Sequence, residues 1–350
     1  MCQQKIPEKE ERKIKCLVWD LDNTVWDGVL SENEDVSLRK GAVYVIKTLD
    51  KRGILQSIAS KNDHSQAVAK LNELGIKDYF IYPQINWGSK SQSVRTIAKS
   101  INIGIDTIAF IDDQPFELEE VSFSHPQVLC IDAADMSKIS DMSEFMPKFI
   151  TDESKIRRAM YMSDIERNNI EERFEGPKEE FLASLNMVFK ISQPEEEDLK
   201  RAEELTVRTH QLNTTGYTYS YEDLDRFRKS ENHILYVASL DDKYGTYGKI
   251  GLLLIETSGN IWTIKLLLMS CRVMARGVGS IMINHIRNQA RDAGVSLRAE
   301  FLPTDVNRMM YMTYKFTNFS EKEKTGDILI LENDLTQKQE FPGYVKIEIS

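Results

Sequence analysis

The chain has 350 residues, of which 41% are apolar and 29% charged, and its formal net charge is −10. This composition is typical of a globular protein of about two domains, and the acidic balance argues against a broad basic surface for nucleic acid. The N-terminal segment is charged and lacks the apolar run of a secretion signal, and no apolar stretch approaches the ~18 residues of a membrane span. The four cysteines, Cys2, Cys16, Cys130 and Cys271, form no CxxC pair, which favours a reducing compartment. We therefore expect a cytoplasmic protein with neither nucleic acid nor a membrane among its partners.

Strands and helices alternate up to about residue 133. The apolar runs and their turn residues predict strands at 14–20, 54–60, 107–113 and 127–132, and helices at 42–53, 64–75, 93–103 and 115–123. Unbroken apolar strands that alternate with helices are typical of a parallel sheet covered on both faces. We therefore predict a Rossmann-like α/β domain over residues 1–133. Ligands of such sheets bind at the carboxyl ends of the strands.

Beyond residue 133 the sequence changes character twice. Residues 134–185 are polar and helical in pattern, and predict a helical connector with a charged face. Residues 186–350 predict an α+β domain, with helices at 195–212 and 278–294 and strands at 233–242, 247–259, 260–270, 296–302 and 327–333.

Acidic side chains follow two of the predicted strands in the first domain. Asp20 and Asp22 follow the first strand, and Asp112 and Asp113 follow the third. Carboxylates this close repel one another unless a cation or a shared proton relieves the repulsion. Clustered carboxylate oxygens are the ligands that Mg²⁺ prefers, so the sequence predicts a magnesium site at this edge of the sheet.

The residues around these acids suit a phosphoryl group. Thr24 offers a hydroxyl after the first strand, Ser60 ends the second strand and is followed by Lys61 and Asn62, and Lys90 precedes the third helix. Hydroxyl and ammonium groups opposite a metal can balance the charge on phosphoryl oxygens. One aspartate can attack phosphorus, while a second protonates the leaving oxygen and later activates water.

The segments DLDNT, SIAS, GSK and FIDD resemble, in order and spacing, the four motifs of the haloacid dehalogenase (HAD) superfamily. The resemblance implies Asp20 as nucleophile and Asp22 as general acid and base, in the phosphatase branch of the superfamily. It also implies a Mg²⁺ site with Asp113 beside it, and phosphate binding by Ser60 and Lys90. The implied Mg²⁺ ligands are Asp20, Asp22 and Asp112.

The spacing of these motifs leaves no room for a large cap domain. Between Asp22 and Ser60, only a small hairpin flap over residues 25–38 fits. We expect a minimal cap and an open site, of a kind that often serves bulky or macromolecular substrates. The alternative is that the second domain acts as the lid.

Longer segments resemble the FkbH-like subfamily. They are LVWDLDNTVWDGVL, IASKNDH, FIDDQPFELEEV and SHPQV in the first domain, and RTHQLNTT, KYGTYGKIG and LLMSCRVMARGVG in the second. The resemblance implies a small phosphorylated substrate, 1,3-bisphosphoglycerate. It further implies that the glyceryl group is loaded through a thioester onto an acyl carrier protein.

A strand, a basic glycine-containing turn and a helix follow one another at 260–294. Backbone N–H groups at a helix N-terminus, with Arg272 and Arg276 nearby, suit a pyrophosphate. The turn resembles the acyl-CoA loop of GNAT acyltransferases through Gly277 and Gly279, although Met274 occupies the loop's first position. The resemblance implies acetyl-CoA or a phosphopantetheine arm as the ligand.

Five further residues complete the predicted acyl site. The segment NRMMYMTYKFTNF resembles a GNAT segment, which implies a binding role for Asn307 and a general acid role toward a thiolate for Tyr314. In the family interpretation Cys271 carries the acyl group as a thioester, although a cysteine at a strand end is often a packing residue. His210 and Asn213 are candidates for the acyl pocket.

We thus expect a bifunctional enzyme, a Mg²⁺-dependent HAD phosphatase joined to a GNAT-like acyl-handling domain, in the biosynthesis of a secondary metabolite or surface polysaccharide. The leading hypothesis is phosphate removal coupled to acyl transfer to a carrier-protein thiol. The first alternative is a sugar-phosphate phosphatase that also N-acetylates a sugar amine from acetyl-CoA. The second alternative is a phosphatase whose second domain is a non-catalytic binding module.

Overall fold

The computed structural model describes residues 13–32 and 35–350, and the chain divides into two compact units, Met1–Met162 and Ser163–Ser350. The expected α/β domain and α+β domain are both present, so the predicted fold class is confirmed. The finer division into residues 1–133, 134–185 and 186–350 stays a prediction. Cys2 lies outside the described residues.

The first unit is built on a five-stranded parallel sheet in the order β5-β4-β1-β6-β7, with a small hairpin beside it. Its strands are β1 (Cys16–Trp19), β2 (Trp26–Asp27), β3 (Ser37–Leu38), β4 (Leu55–Ser60), β5 (Gln84–Ile85), β6 (Ile108–Asp112) and β7 (Leu129–Asp132). Its helices are α1 (Ala42–Lys51), α2 (His64–Glu73), α3 (Lys90–Ile101), α4 (Pro115–Ser124) and α5 (Asp152–Lys155). Short 3₁₀ segments lie at Lys77–Tyr79, Ile105–Thr107, Ala133–Asp141 and Ser143–Phe145.

The central strands explain why the sequence adopts a parallel sheet. Every residue of β1, β4 and β6 is buried, as expected when helices cover both faces. The side chains of Asp63 and Ser89 accept hydrogen bonds from backbone N–H groups at the starts of α2 and α3, which fixes where each helix begins. These starts hold the strand-end loops in place.

The predicted flap is a two-stranded hairpin. β2 pairs with β3 in antiparallel register, Trp26 opposite Leu38 and Asp27 opposite Ser37. Part of the predicted flap, residues 33 and 34, lies outside the described residues. Trp26 is fully buried, so the hairpin packs against the first unit through its aromatic side chain.

The second unit contains an eight-stranded mixed sheet in the order β13-β14-β12-β11-β10-β9-β8-β15. Its strands are β8 (Met187–Ser192), β9 (His233–Asp242), β10 (Gly245–Ser258), β11 (Ile261–Met269), β12 (Ser296–Phe301), β13 (Phe319–Thr325), β14 (Ile328–Asn333) and β15 (Val345–Ile349). Its helices are α7 (Lys178–Ser184), α8 (Glu196–Arg208), α9 (Tyr221–Arg228), α10 (Ile281–Asp292) and α11 (Arg308–Phe316). Helix α6 (Arg157–Arg173) runs across the division between the units, and a 3₁₀ segment lies at Cys271–Arg276.

Strands β11 and β12 pair for only part of their length and then diverge. Their parallel register runs from Ile261 opposite Ser296 to Ile264 opposite Ala299. Beyond it, the backbone N–H of Thr214 donates to the carbonyl of Leu267 (3.0 Å), and the N–H of Leu302 donates to the carbonyl of Thr214 (3.0 Å). The loop between α8 and α9 therefore bridges the diverging strands with its own backbone.

Five elements of the second unit did not stand out in the sequence: β8, α9, α11, β13 and β15. Strand β13 is exposed over all but its first residue, so it lacks the apolar alternation that identifies a half-buried strand. Among the described residues, no helix combines the length and the apolar character that crossing a membrane requires.

Candidate functional site

Three carboxylates of the first unit meet at the carboxyl ends of β1 and β6. These strands are parallel neighbours, with Trp19 opposite Ile111, so the residues that follow them emerge side by side. One carboxylate oxygen from each of Asp20, Asp112 and Asp113 lies within 4.8 Å of the other two. Asp20 and Asp112 are 5% and 1% exposed. Water therefore screens the repulsion between their carboxylate charges only weakly.

The ammonium group of Lys90 lies between two of these acids. It donates to Asp20 Oδ1 and, at 3.0 Å, to Asp112 Oδ2, and the side chain is 4% exposed. Burial opposes the charge on Lys90, but the two carboxylates outweigh it and raise its pKa. Burial raises the pKa of Asp20 to about 7, with a further increase from Asp112 and a partial offset from Lys90. One lysine thus leaves the three acids with excess negative charge.

The structure places Asp22 outside this group of acids. Its Oδ1 accepts hydrogen bonds from Trp26 Nε1 (2.8 Å) and from the backbone N–H of Leu30 (3.1 Å), and its Oδ2 accepts one from Asn62 Nδ2 (2.9 Å). The carboxylate that joins Asp20 and Asp112 is instead that of Asp113. Trp26 and Leu30 of the flap, together with Asn62, therefore hold Asp22 two residues beyond Asp20. Its role as general acid and base stays a prediction.

The predicted phosphate binders differ in how they are engaged. Asn62 also donates to Ser60 Oγ (3.2 Å), and both residues are 3% exposed. The Thr24 hydroxyl is fully buried and has no hydrogen-bond partner among the described residues. Lys61 forms an ion pair with Glu117 at 2.5 Å. Ser60, Asn62 and Thr24 are thus buried beside the strand ends. Lys61 instead pairs with Glu117 on α4.

Two residues that interact with predicted site residues were not predicted from the sequence. Arg39, after the flap, donates to the carbonyl of Asn23 (2.5 Å), and its charge partly offsets the increase in the pKa of Asp113 that burial and Asp112 cause. Glu117 is the partner of Lys61. A basic residue after a flap and an acid on a helix carry no motif signal, so only the folded geometry reveals them.

The residues of the first site fit a magnesium ion. Asp113 Oδ1 is buried and has no hydrogen-bond partner among the described residues, and an unmet acceptor of this kind is costly. Three carboxylates with unbalanced charge and one free buried oxygen are a donor set for a hard cation. Asp20, Asp112 and Asp113 would hold it.

In the second unit, the turn after β11 has the predicted glycine geometry, but its arginines are engaged. Gly277 has a φ of +68°, and a Cβ there would lie 2.2 Å from the Tyr344 hydroxyl. Arg276 is 2% exposed and donates to Glu171 Oε2 (2.8 Å) and to Asn168 Oδ1 (2.9 Å). Arg276 thus already holds an internal carboxylate, and binding of a coenzyme A diphosphate by this turn stays a prediction.

The remaining residues of this turn have local roles. Arg272 donates to the carbonyl of Tyr247 (2.5 Å). Cys271 is half-buried, and its thiol donates weakly to Gln211 Oε1 at 3.9 Å. A Cβ at Gly279 would meet open space, so this position is not crowded by the surrounding chain.

The other predicted acyl-site residues lie around the divergence of β11 and β12. Asn213 Oδ1 accepts hydrogen bonds from two backbone N–H groups of its own loop, and Asn307 Nδ2 donates to the carbonyl of Asn213 (3.1 Å). Tyr314 is fully buried, and this burial raises its pKa. His210 is exposed. The two asparagines hold loops together, and the predicted acid role of Tyr314 would require a path from this buried hydroxyl to a ligand.

An ion pair at the same divergence had no sequence signal. Glu300 follows the last pair of β11 and β12, and its Oε1 accepts from Lys265, which is also 3.5 Å from Glu256. Its Oε2 is buried and has no hydrogen-bond partner among the described residues. Burial and Glu300 both raise the pKa of Tyr217. Because Glu256 and Glu300 share one lysine, this cluster carries a net negative charge.

Comparisons with known proteins found similar solved structures but neither a family model nor a curated relative. Among solved structures, the N-terminal part of a Bacteroides fragilis protein, which contains a phosphatase domain complexed with Mg, is 31% identical over 36% of this chain, with a TM-score of 0.33. The match spans only 38% of the length of that structure.

In two other solved structures the match covers nearly the whole length of the other protein. A HAD-superfamily hydrolase from Ehrlichia chaffeensis is 13% identical, with 37% of this chain and 98% of that chain covered and a TM-score of 0.32. The PaiA N-acetyltransferase from Thermoplasma acidophilum, in complex with coenzyme A, is 14% identical, with 41% and 98% covered and a TM-score of 0.31. The proteins to which the chain is similar are thus enzymes of two kinds, hydrolases and N-acetyltransferases.

We expect Mg²⁺ to stabilise the first unit more at pH 8 than at pH 5. The pKa of Asp20 is raised to about 7, above the ~3.9 of an unfolded aspartate, so the metal-free fold loses stability as the pH rises between these values. Mg²⁺ relieves repulsion only where the acids are ionised. Thermal unfolding followed by tryptophan fluorescence measures this, because Trp19, Trp26 and Trp87 lie in the first unit and only Trp262 lies in the second.

The matched variants are Asp20→Asn and, as a control, Asp141→Asn at an exposed position. Without divalent ions at pH 8, Asp20→Asn should unfold at a higher temperature than the wild type and respond less to Mg²⁺. An equal Mg²⁺ shift at both pH values, or in both variants, would contradict the predicted metal site.

Proposed function

We propose that the first unit is a Mg²⁺-dependent phosphohydrolase with Asp20 as its nucleophile. The observation that carries this proposal is the buried group of Asp20, Asp112 and Asp113, whose charge Lys90 balances only in part. Mg²⁺ bound there would neutralise the acids and polarise the phosphoryl oxygens. The substrate is a small phosphorylated metabolite, for which Ser60 and Thr24 offer buried hydroxyls.

The reaction proceeds through an aspartyl-phosphate. An oxygen of Asp20 attacks phosphorus, the bond from phosphorus to the leaving oxygen breaks, and Asp22, as the general acid, delivers a proton to that oxygen. Asp22 then takes a proton from water, whose oxygen attacks phosphorus and releases phosphate together with the free Asp20 carboxylate. The hydrogen bonds from Trp26, Leu30 and Asn62 fix the position of Asp22 for both transfers.

We propose that the second unit transfers an acyl group of the glyceryl type to the thiol of a carrier protein. What supports this is the resemblance of the turn at Cys271 to an acyl-CoA loop and the half-buried Cys271 thiol at the end of β11. In this proposal the Cys271 sulfur attacks the carbonyl carbon of an acyl phosphate, the bond from that carbon to the phosphate oxygen breaks, and Cys271 carries the acyl group as a thioester. The thiol of a phosphopantetheine arm on the carrier protein then attacks the same carbon, which transfers the acyl group and frees the Cys271 thiol. The acylated carrier protein would supply a biosynthetic pathway.

A second candidate for the acceptor is an amine, such as that of a sugar in surface polysaccharide biosynthesis. The observation that favours it is the acidic place formed by Glu300, Glu256 and Lys265, which would attract a protonated amine. Acetyl-CoA would then be the donor. A non-catalytic second unit is favoured by a different observation, the engagement of Arg276 by Asn168 and Glu171.

The substitution Asp20→Asn should abolish phosphate release, because an amide oxygen cannot serve as the nucleophile. Release would be measured on a panel of phosphorylated acids and sugars that includes 1,3-bisphosphoglycerate, with and without Mg²⁺. Asp141→Asn should release phosphate at the wild-type rate. Wild-type turnover by Asp20→Asn would show that Asp20 is not the nucleophile.

The substitution Asp22→Asn should affect substrates according to their leaving group. We expect turnover of an alkyl phosphate such as glycerol 3-phosphate to fall by about 10²–10⁴-fold, the usual contribution of a general acid. With p-nitrophenyl phosphate, whose leaving group needs no proton, rapid mixing should still show a burst of p-nitrophenol equal to the amount of enzyme. An absent burst would mean that Asp22 serves the nucleophilic step itself.

The substitution Cys271→Ala should remove an acyl adduct while leaving phosphate chemistry intact. The wild-type protein, incubated with 1,3-bisphosphoglycerate and Mg²⁺, should gain one glyceryl group by intact-protein mass. Cys130→Ala, at another partly buried cysteine, is the matched control and should gain the same mass. An adduct that persists in Cys271→Ala, or none in the wild type, would count against the thioester.

A further inference from the structure

A charged network in the second unit connects α6 with the turn that follows β11. The acids are Asp164 and Glu171 on α6 and Asp242 at the end of β9, and the bases are Arg167, Lys178, Arg272 and Arg276. Arg167 binds Asp242 through two nitrogen atoms (2.7 and 2.8 Å) and Asp164 through a third (2.8 Å). Burial raises the pKa of Asp164, and the three arginines oppose that increase, Arg272 most strongly. Electrostatic attraction to the acids of α6 and β9 therefore stabilises the basic turn next to α6.

Glu171 neutralises two cations at once. Its Oε2 accepts from Arg276 Nη1 at 2.8 Å, and its Oε1 lies 3.9 Å from Lys178 Nζ. The Glu171 side chain is 29% exposed, whereas that of Arg276 is 2% exposed. A partly exposed carboxylate thus compensates a buried guanidinium, and a buried charge left without its partner is costly.

Arg276 still has an unmet donor. Its Nε is buried and has no hydrogen-bond partner among the described residues, although the neighbouring Nη1 and Nη2 are both bonded. The residue ends the 3₁₀ segment and is followed by Gly277, in the left-handed region, and by α10, a helix of 12 residues. A buried donor before a helix N-terminus is where an anion would be bound.

We propose that Glu171 is an internal anion that competes with the diphosphate of coenzyme A for Arg276, and so sets whether the second unit prefers coenzyme A or a pantetheine thiol without the nucleotide. The inference rests on the proposed acyl-transfer role of this unit and names the residue that decides which thiol ligand it takes. With Glu171 in place, the turn offers little positive charge to the nucleotide, and coenzyme A gains little over pantetheine. Without the Glu171 charge, Arg276 and Lys178 lose their shared carboxylate partner, and the excess positive charge favours the diphosphate.

Two variants of nearly unchanged shape test this with opposite expected signs. Glu171→Gln removes the carboxylate charge and keeps a hydrogen-bond acceptor for Arg276. Asn168→Asp adds a second internal carboxylate at Arg276 Nη2, which Asn168 Oδ1 now contacts at 2.9 Å. Glu172→Gln, at the exposed neighbouring position, is the matched control.

The experiment is isothermal titration of the full chain with coenzyme A and, separately, with pantetheine. We expect Glu171→Gln to bind coenzyme A about tenfold more tightly than the wild type, a typical effect of one close charge pair, and Asn168→Asp to bind it more weakly. The affinity for pantetheine, which lacks the diphosphate, should stay the same in all four proteins. Should Glu171→Gln not fold, Asn168→Asp alone carries the test.

An unchanged or weaker affinity of Glu171→Gln for coenzyme A would overturn the inference, as would equal changes for coenzyme A and pantetheine. Coenzyme A binding by none of the proteins would overturn it too. Phosphate release is measured on the same preparations as an independent test of the first unit. Because this release depends on Asp20, it should not change with the affinity of the second unit for coenzyme A. Transfer to an acceptor thiol, measured with a pantetheine thioester, separates them from acyl transfer itself.

Discussion

The burial of several carboxylates at the ends of two adjacent parallel strands is the constraint on which the first unit depends. The hydrogen-bonded register of β1 with β6 brings Asp20 and Asp112 together, and a sheet that is buried on both faces gives them little water. Such an arrangement is unfavourable by itself, so the surrounding structure has to compensate it. Lys90, delivered by the start of α3, supplies part of the compensation, and the rest is left for a ligand.

The same principle of partial compensation appears in the second unit with the opposite sign. There, buried guanidinium groups of Arg167 and Arg276 are balanced by acids on α6 and β9. In the first unit the unbalanced charge is negative and suits a metal ion, whereas around the turn after β11 the positive charge is held by Glu171. A cation could therefore bind the first site without displacing a protein group, whereas an anion at the turn after β11 would have to compete with Glu171.

The first site was largely predictable from the sequence, because its residues follow strands whose ends are fixed by parallel pairing. The order of strands and turns along the chain is enough to assign Asp20, Ser60, Lys90 and Asp112 to one edge of the sheet. The position of Asp22 could not be predicted, because it depends on Trp26 and on a flap whose two-residue strands carry no periodic signal.

The acyl site was less predictable for a different physical reason. Glycine turns and helix starts can be recognised along the chain, but the partner of an arginine is chosen in three dimensions. Arg276 and Glu171 are far apart in sequence, and no local pattern indicates that they meet. Strand β13 was missed because its side chains are mostly exposed and charged, and β15 because it is only five residues long and only its first residue is buried.

The backbone bridge at Thr214 has a consequence for how any ligand could use the divergence of β11 and β12. The hydrogen-bonding groups of Leu267 and Leu302 that face this gap are already satisfied by the chain itself. An extended ligand inserted between the strands would therefore exchange hydrogen bonds rather than add them, and its net gain would come from the contacts of its side groups. Amide hydrogens in the bridging loop would report that exchange directly, since they would become exposed to water at the moment the ligand takes their place.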